Sequence, residues 1–183
     1  MSGSTDRGLQ GFFFESEDGH DIAQFRSDGF TYSRLKPYTD GEQVLSEALR
    51  LWGLFVEVAA PTVVSRLALR YINHLRLEVP LGDLGQYLNA TPAPPQGAGE
   101  IEGFLTRVVT HEARTNVRVI TTQILERAVD PGALTVILDI DSFRLAELGL
   151  GAGDLRPTLE ALRSLKNDVF FGSITERTAG LYE

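Results

Sequence analysis

Two aspartates one residue apart, Asp139 and Asp141, have the spacing in this chain that most resembles a chemical site. Residues two apart on a strand share a face, so both carboxylates could hold one hard cation such as Mg²⁺ or Mn²⁺. This arrangement is typical of metal-dependent enzymes, although such sites need further carboxylates. The alternative is that both aspartates pair with arginines on a neighbouring strand. We favour the structural interpretation and expect no metal.

Other catalytic patterns are missing from the sequence. The three histidines, His20, His74 and His111, have neither the HExxH nor the HxH spacing of a zinc site. There is no cysteine nucleophile or thiolate ligand, and no serine lies in a GxSxG context. The sequence therefore favours a non-enzymatic protein without a cofactor over an enzyme.

A basic strip could bind an anion. It consists of Arg66, Arg70, His74 and Arg76, which alternate along one strand, joined by Arg118 from another. Arginine binds carboxylates and phosphates through two parallel hydrogen bonds. The strip predicts either an anionic ligand or acidic partner, or a solvated face paired with Asp139 and Asp141. We favour the second interpretation and expect Arg70 to be paired with one of these aspartates.

The element that carries the strip is Thr62 to Glu78, where apolar and polar residues alternate from Arg66 onward. A period of two is typical of a strand with one buried and one open face. The residues between the basic ones point to the opposite face, which is the predicted core face. They are Leu67, Leu69, Tyr71, Asn73, Leu75 and Leu77.

Short alternating runs separated by turn residues predict the remaining strands, and two apolar stripes at helical spacing predict helices. The predicted strands cover 11–15, 21–26, 30–36, 104–112, 116–127 and 133–143, and the predicted helices cover 42–59 and 154–170. Strands joined by short turns are antiparallel. The fold class we predict is α+β: a curved antiparallel sheet of six to seven strands with both helices packed on one face.

Length and composition predict one domain. Residues 1–10 are small and polar and read as a flexible leader, and residues 11–183 form a single α+β domain. The chain has no long apolar segment and no cysteine, so we expect a cytoplasmic protein. Its net charge of −8 disfavours nucleic acid as a partner.

Several short motifs resemble a sporadically distributed family of uncharacterised bacterial proteins. The motifs are Glu17-Asp-Gly19, the Tyr38-led helix, Leu69-Arg-Tyr-Ile-Asn73, Leu138-Asp-Ile-Asp141, and the closing segment from Phe171 to Thr175-Glu176. The resemblance spans most of the chain and implies a bacterial protein but no particular activity. It also implies a leading strand-containing segment that we expect this chain to lack.

The first strand carries three consecutive phenylalanines, Phe12, Phe13 and Phe14. Successive residues of a strand face opposite sides, so at least one phenylalanine must leave the core face. We expect this strand to be covered by another protein chain, in a homo-oligomer or a larger complex. The alternative cover for Phe13 is the last helix or the C-terminal Leu181-Tyr182.

Three functions follow from these patterns. The first is a protein-interaction or assembly module. The second is a small anionic-ligand-binding protein, with a pocket between the sheet and the C-terminal helix, near Trp52 and the Arg70 strip. The third is a metal-dependent enzyme that uses Asp139 and Asp141.

Overall fold

The computed structural model describes residues 10–37, 40–78, 83–97, 99, 101–127 and 133–181. The chain divides into two compact units. The N-terminal unit comprises Met1–Val63 and Gly149–Asp154, and the C-terminal unit comprises Val64–Leu148 and Leu155–Glu183. The single domain predicted over 11–183 stays a prediction, because compact units can belong to one domain. The predicted leader lies outside the described residues except for Gln10.

The N-terminal unit contains a three-stranded antiparallel sheet. Its strands are β1 (Gly11–Glu15), β2 (Asp21–Arg26) and β3 (Gly29–Arg34), in the order β1-β2-β3. Gly11 has a φ of 151°, and a Cβ at this position would lie 2.3 Å from the carbonyl oxygen of Phe25. Glycine is therefore required where β1 meets β2.

Helix α1 (Gly41–Ala59) packs on this first sheet. Asp40 caps its N-terminus by accepting a hydrogen bond from the Glu42 N–H at 2.9 Å. Its end is marked by Ala60 in the left-handed region, followed by Pro61. Rings of the helix and the sheet form an aromatic cluster with centroids 5.4 to 5.9 Å apart: Phe25, Phe30, Trp52 and Phe55.

The C-terminal unit contains a four-stranded antiparallel sheet. Its strands are β4 (Val64–Glu78), β5 (Phe104–Glu112), β6 (Val117–Arg127) and β7 (Ala133–Leu148), in the order β4-β7-β6-β5. The predicted faces of β4 are confirmed, because Leu75 and Leu77 are buried whereas Arg66, Arg70 and His74 are exposed. Alternation along β4 and β7 gives this sheet one core face and one open face, whereas β5 is exposed on both faces from Arg107 to His111.

Helix α2 (Ala152–Ser173) covers the core face of the second sheet. Leucines 155, 159 and 162 of α2 are buried, as are Val136, Leu138 and Ile140 on the inward face of β7. Ser142, in the same inward row, lies with its Oγ 3.1 Å from the Leu162 carbonyl oxygen. Lys166 of α2 has its Nζ 3.9 Å from the centroid of the Tyr71 ring, and burial lowers the pKa of this lysine.

The short segment that follows α2 is hydrogen-bonded to the residues at and after the 3₁₀ turn Leu84–Gln86. The N–H of Thr175 donates to the Tyr87 carbonyl at 3.1 Å, and the N–H of Asn89 donates to the Ser173 carbonyl at 3.0 Å. The hydroxyl of Thr175 caps α3 (Glu176–Ala179). These bonds hold the chain after α2 against the residues that follow β4.

The predicted α+β class with antiparallel strands is confirmed, but the prediction of one sheet is wrong. The described residues form seven strands, divided into sheets of three and four. The reason is the choice of partner for β4, which pairs with β7 along nearly its whole length and not with β3. The two helices accordingly cover different sheets, α1 the first and α2 the second.

Candidate functional site

The open face of the second sheet carries all five residues of the basic strip. Arg66, Arg70, His74 and Arg76 lie on β4, and Arg118 lies on β6 opposite Phe143 of β7. The four residues of β4 are exposed and Arg118 is half-buried. The strip therefore lies on one surface, as its spacing predicts, but this is the face that α2 does not cover.

Two of the arginines are bound to the two candidate metal-binding aspartates. Arg70 donates to Asp139 from Nε at 2.8 Å and from Nη2 at 2.6 Å. The Nη2 of Arg66 lies 2.9 Å from one oxygen of Asp141 and 3.2 Å from the other. The hydrogen bond to Asp139 raises the pKa of Arg70. The guanidinium of Arg66 also lies 4.8 Å from the ring centroid of Phe143.

The two arginine–aspartate pairs argue against a metal ion bound by Asp139 and Asp141. Asp139 and Asp141 share a face, as predicted, but each carboxylate already accepts hydrogen bonds from an arginine. Within the described ranges, no group of three histidine, aspartate or glutamate side chains is placed to hold a metal ion. A cation here would have to displace two guanidinium groups while gaining only two carboxylates, whereas hard cations prefer six or more oxygen ligands.

Apolar side chains surround the ion pairs on the open face. Four of them are about half or more exposed: Ile72, Leu105, Val109 and Leu145. Leu105 and Val109 belong to β5, which is an edge strand of this sheet. The open face is therefore a mixed surface of arginine–aspartate pairs and exposed aliphatic side chains.

Strand β1 forms the edge of the first sheet and presents its three phenylalanines to solvent. Phe12, Phe13 and Phe14 are 59%, 60% and 50% exposed. Phe12 and Phe14 share the face of the aromatic cluster, with the Phe14 ring 5.2 Å from Phe25. Phe13, opposite Gln24, points to the other face. Cover of Phe13 by the last helix or by Leu181-Tyr182 stays a prediction, and Tyr182 lies outside the described residues.

Trp52 belongs to the core of the N-terminal unit. Its ring packs 5.4 Å from Phe55 and 5.9 Å from Phe30. Its indole N–H donates to the Leu150 carbonyl at 2.8 Å. Both the apolar ring and the polar nitrogen are satisfied, so Trp52 is explained by packing without a ligand.

A cavity that the sequence did not predict lies in the C-terminal unit. It is formed by the β5–β6 turn, the end of β7 and the side of α2, and its volume is about 290 Å³. Two arginines, Arg114 and Arg144, line it. The sequence contains a signal for Arg144, which follows Ile140 and Ser142 in the inward-facing register of β7. The predicted strand ends at Phe143, whereas β7 continues to Leu148, so the sequence pattern does not place Arg144 on it.

No protein-family model, curated protein or solved structure matches this chain. The resemblance to the sporadically distributed bacterial family therefore stays a prediction. Among the described residues, the structure contains no helix that is both long and apolar enough to span a membrane.

Proposed function

We propose that this chain is a non-enzymatic protein-interaction module of a bacterial cytoplasmic complex, and that it assembles with a second copy of itself through β1. The observation that carries the proposal is the edge position of β1, combined with three consecutive phenylalanines that are each at least half exposed. The bacterial cytoplasm follows from the family resemblance and from the absence of cysteine.

Exposed edge strands are usually protected in monomeric proteins. The common devices are a lysine or proline in the strand, a bulge, or a covering segment. Strand β1 reads Gly-Phe-Phe-Phe-Glu and contains neither lysine nor proline. Its outer N–H and C=O groups and its apolar side chains together form a surface to which another strand can add.

The aromatic rings favour an apolar partner on the α1 side of the sheet. Phe12 and Phe14 stack with centroids 6.3 Å apart, and Phe14 meets Phe25 edge to face at 5.2 Å. Phe25 in turn contacts Phe55 of α1 at 5.4 Å. A partner that packs on Phe12 and Phe14 therefore extends an existing aromatic cluster and removes apolar area from water.

A second copy of the chain fits this edge because an antiparallel pair of identical strands has two-fold symmetry. Phe13 is the central residue of the five-residue strand β1. A two-fold axis at Phe13 pairs Phe12 of one copy with Phe14 of the other on the same face. The contact is self-complementary and closed, so it gives a dimer and no open chain of copies.

The test is the oligomeric state of Phe13→Lys, measured by size-exclusion chromatography with light scattering. Lysine at the centre of β1 introduces a charge at the axis, so we expect a well-folded monomer where the wild type is a dimer. Phe171→Lys is the matched control, because Phe171 is 63% exposed on α2. This variant should keep the wild-type size.

Two outcomes contradict the proposal. A wild-type chain that is monomeric at micromolar concentration has no β1 dimer. A Phe13→Lys protein that keeps the wild-type size but melts at a lower temperature has Phe13 in its core, and the edge is then not the interface.

A further inference from the structure

The cavity beside the β5–β6 turn has a cationic lining. Its polar side chains are Arg114, Thr115, Asn116, Arg144 and Thr158, and the remaining lining residues are apolar. No carboxylate lines it, although the chain as a whole has a net charge of −8. Glu112 lies near Arg114 but does not line the cavity, so the lining carries two guanidinium groups and attracts an anion.

Arg144 supplies the strongest argument for a ligand. It follows Ile140 and Ser142 on the α2-facing side of β7, where both of those side chains are buried. Its Nε is also buried and has no hydrogen-bond partner in the structure. Arginine stays charged in proteins, and buried polar groups nearly always find a partner. The missing acceptor is therefore expected to come from a bound molecule.

The opposite wall of the cavity is held in place by Glu112. Its carboxylate accepts hydrogen bonds from the N–H groups of Arg114 and Thr115, both at 2.8 Å, and from the Thr115 hydroxyl. These bonds lower the pKa of Glu112, with the Thr115 hydroxyl as the largest cause. The turn that carries Arg114 is fixed without a ligand, which reduces the entropy lost on binding.

Asn116 closes the same turn. It adopts a φ of 55°, in the left-handed region that asparagine tolerates better than most residues. Its Oδ1 lies 3.0 Å from the Nε2 of His111. The turn therefore has two side-chain anchors, Glu112 and Asn116, one on each side of Arg114.

We propose that this cavity binds a small phosphate-bearing molecule, with Arg114 and Arg144 as the phosphate ligands and Thr158 on the cavity wall. Guanidinium groups match phosphate oxygens with parallel hydrogen bonds. A volume of about 290 Å³ lies at the lower end of the range for ligand sites, so the ligand is a small phosphate ester and not a dinucleotide.

The test is calorimetric titration of the full chain with inorganic phosphate at constant ionic strength. We expect saturable binding to the wild type. Arg144→Met and Arg114→Gln should each weaken it about tenfold or more, the usual cost of losing one charge-assisted hydrogen bond. Arg107→Gln is the control, because Arg107 is exposed on the open face of β5, and this variant should bind phosphate like the wild type.

A second measurement separates a binding role for Arg144 from a structural one. In phosphate-free buffer, Arg144→Met should melt at or above the wild-type temperature, because the substitution removes a half-buried guanidinium whose buried Nε has no hydrogen-bond partner. Added phosphate should raise the melting temperature of the wild type more than that of Arg144→Met.

Several results would overturn the site. One is the absence of saturable heat from phosphate with the wild type. Another is an equal loss of binding in Arg107→Gln and Arg114→Gln, which would show attraction to surface charge in general. Tighter binding of succinate than of phosphate would overturn the phosphate assignment. None of these results depends on whether β1 forms a dimer.

Discussion

Arg70 of β4 is hydrogen-bonded to Asp139, although the sheet register places it directly opposite Asp141. The bond is diagonal across the two strands, and Arg66, which lies opposite Leu145, reaches Asp141 over a longer diagonal. The Arg70 side chain is 58% exposed, whereas that of Asp139 is 18% exposed. The arginine is therefore the more exposed member of the pair, and the carboxylate is the more buried one.

Removal of the Arg70 side chain should cost little stability. For Arg70→Ala we expect the free energy of unfolding to fall by about 1 kcal/mol. Exposed ion pairs are weak, and the rest of the loss arises because the Asp139 carboxylate no longer accepts hydrogen bonds from Arg70. Urea denaturation measures the change, and a double-mutant cycle with Asp139→Asn isolates the pair. A loss above about 3 kcal/mol would mean that the arginine is far less solvated than the structure has it.

The aromatic cluster should dominate the stability of the N-terminal unit. Phe55 is 4% exposed and contacts Phe25, Phe30 and Trp52, so we expect Phe55→Ala to cost about 3–5 kcal/mol. The fluorescence of Trp52, the single tryptophan, reports unfolding of this unit directly. Phe171→Ala, at an exposed phenylalanine of the other unit, should leave that transition unchanged. Equal effects of the two substitutions would contradict the cluster.

Ser142 should make a modest contribution through its hydroxyl. Its Oγ lies 3.1 Å from the Leu162 carbonyl oxygen and 3.3 Å from that of Leu69, and one hydroxyl proton can serve only one of them at a time. We expect Ser142→Ala to lower the free energy of unfolding by about 1 kcal/mol, measured by chemical denaturation. Ser142→Val should cost more, because the site is fully buried and closely packed. A more stable valine variant would reveal unfilled space under α2.

The carboxyl of Glu112 should titrate below the ordinary glutamate value of 4.5, because the Thr115 hydroxyl and the backbone of the turn favour its charged form. A pKa that is lower in the folded state contributes stability above pH 4.5, and this contribution is lost as the pH falls through the folded value. NMR titration of the Glu112 carboxyl carbon measures this midpoint. A midpoint for Glu112 at or above 4.5 would contradict the hydrogen bonds of the turn.

The periodicity of the sequence predicts where strands begin and end, but it does not predict which strands pair. The bounds of β1 and β5 agree with the predicted 11–15 and 104–112, because alternation and turn residues are local signals. Which strand lies next to β4 depends on contacts far apart in sequence, so the division into two sheets was not predicted. An aspartate partner for Arg70 could be predicted, because Asp139 and Asp141 alternate with apolar residues and therefore lie on the open face of β7.

The two arginines of the cavity could not be assigned to a site from the sequence. Arg114 lies in a turn, where an exposed basic residue is common and belongs to no periodic pattern. Arg144 lies beyond the predicted end of β7 at Phe143, whereas the strand continues to Leu148. Only three-dimensional packing brings a turn, a strand end and the side of α2 around one space, so neither residue could be assigned to a site from its neighbours in sequence.

The ladder between β4 and β7 also has a consequence for the order in which the second sheet assembles. Arg70 and Asp139 are 69 positions apart, whereas His111 and Asn116, whose side chains are hydrogen-bonded at the β5–β6 turn, are 5 apart. Closing a long loop costs more chain entropy than closing a hairpin, so β5, β6 and β7 are expected to pair first and β4 to dock last. Arg70→Ala should then accelerate unfolding and leave the folding rate unchanged, as measured by stopped-flow kinetics in denaturant. A slower folding rate with an unchanged unfolding rate would place β4 in the folding nucleus.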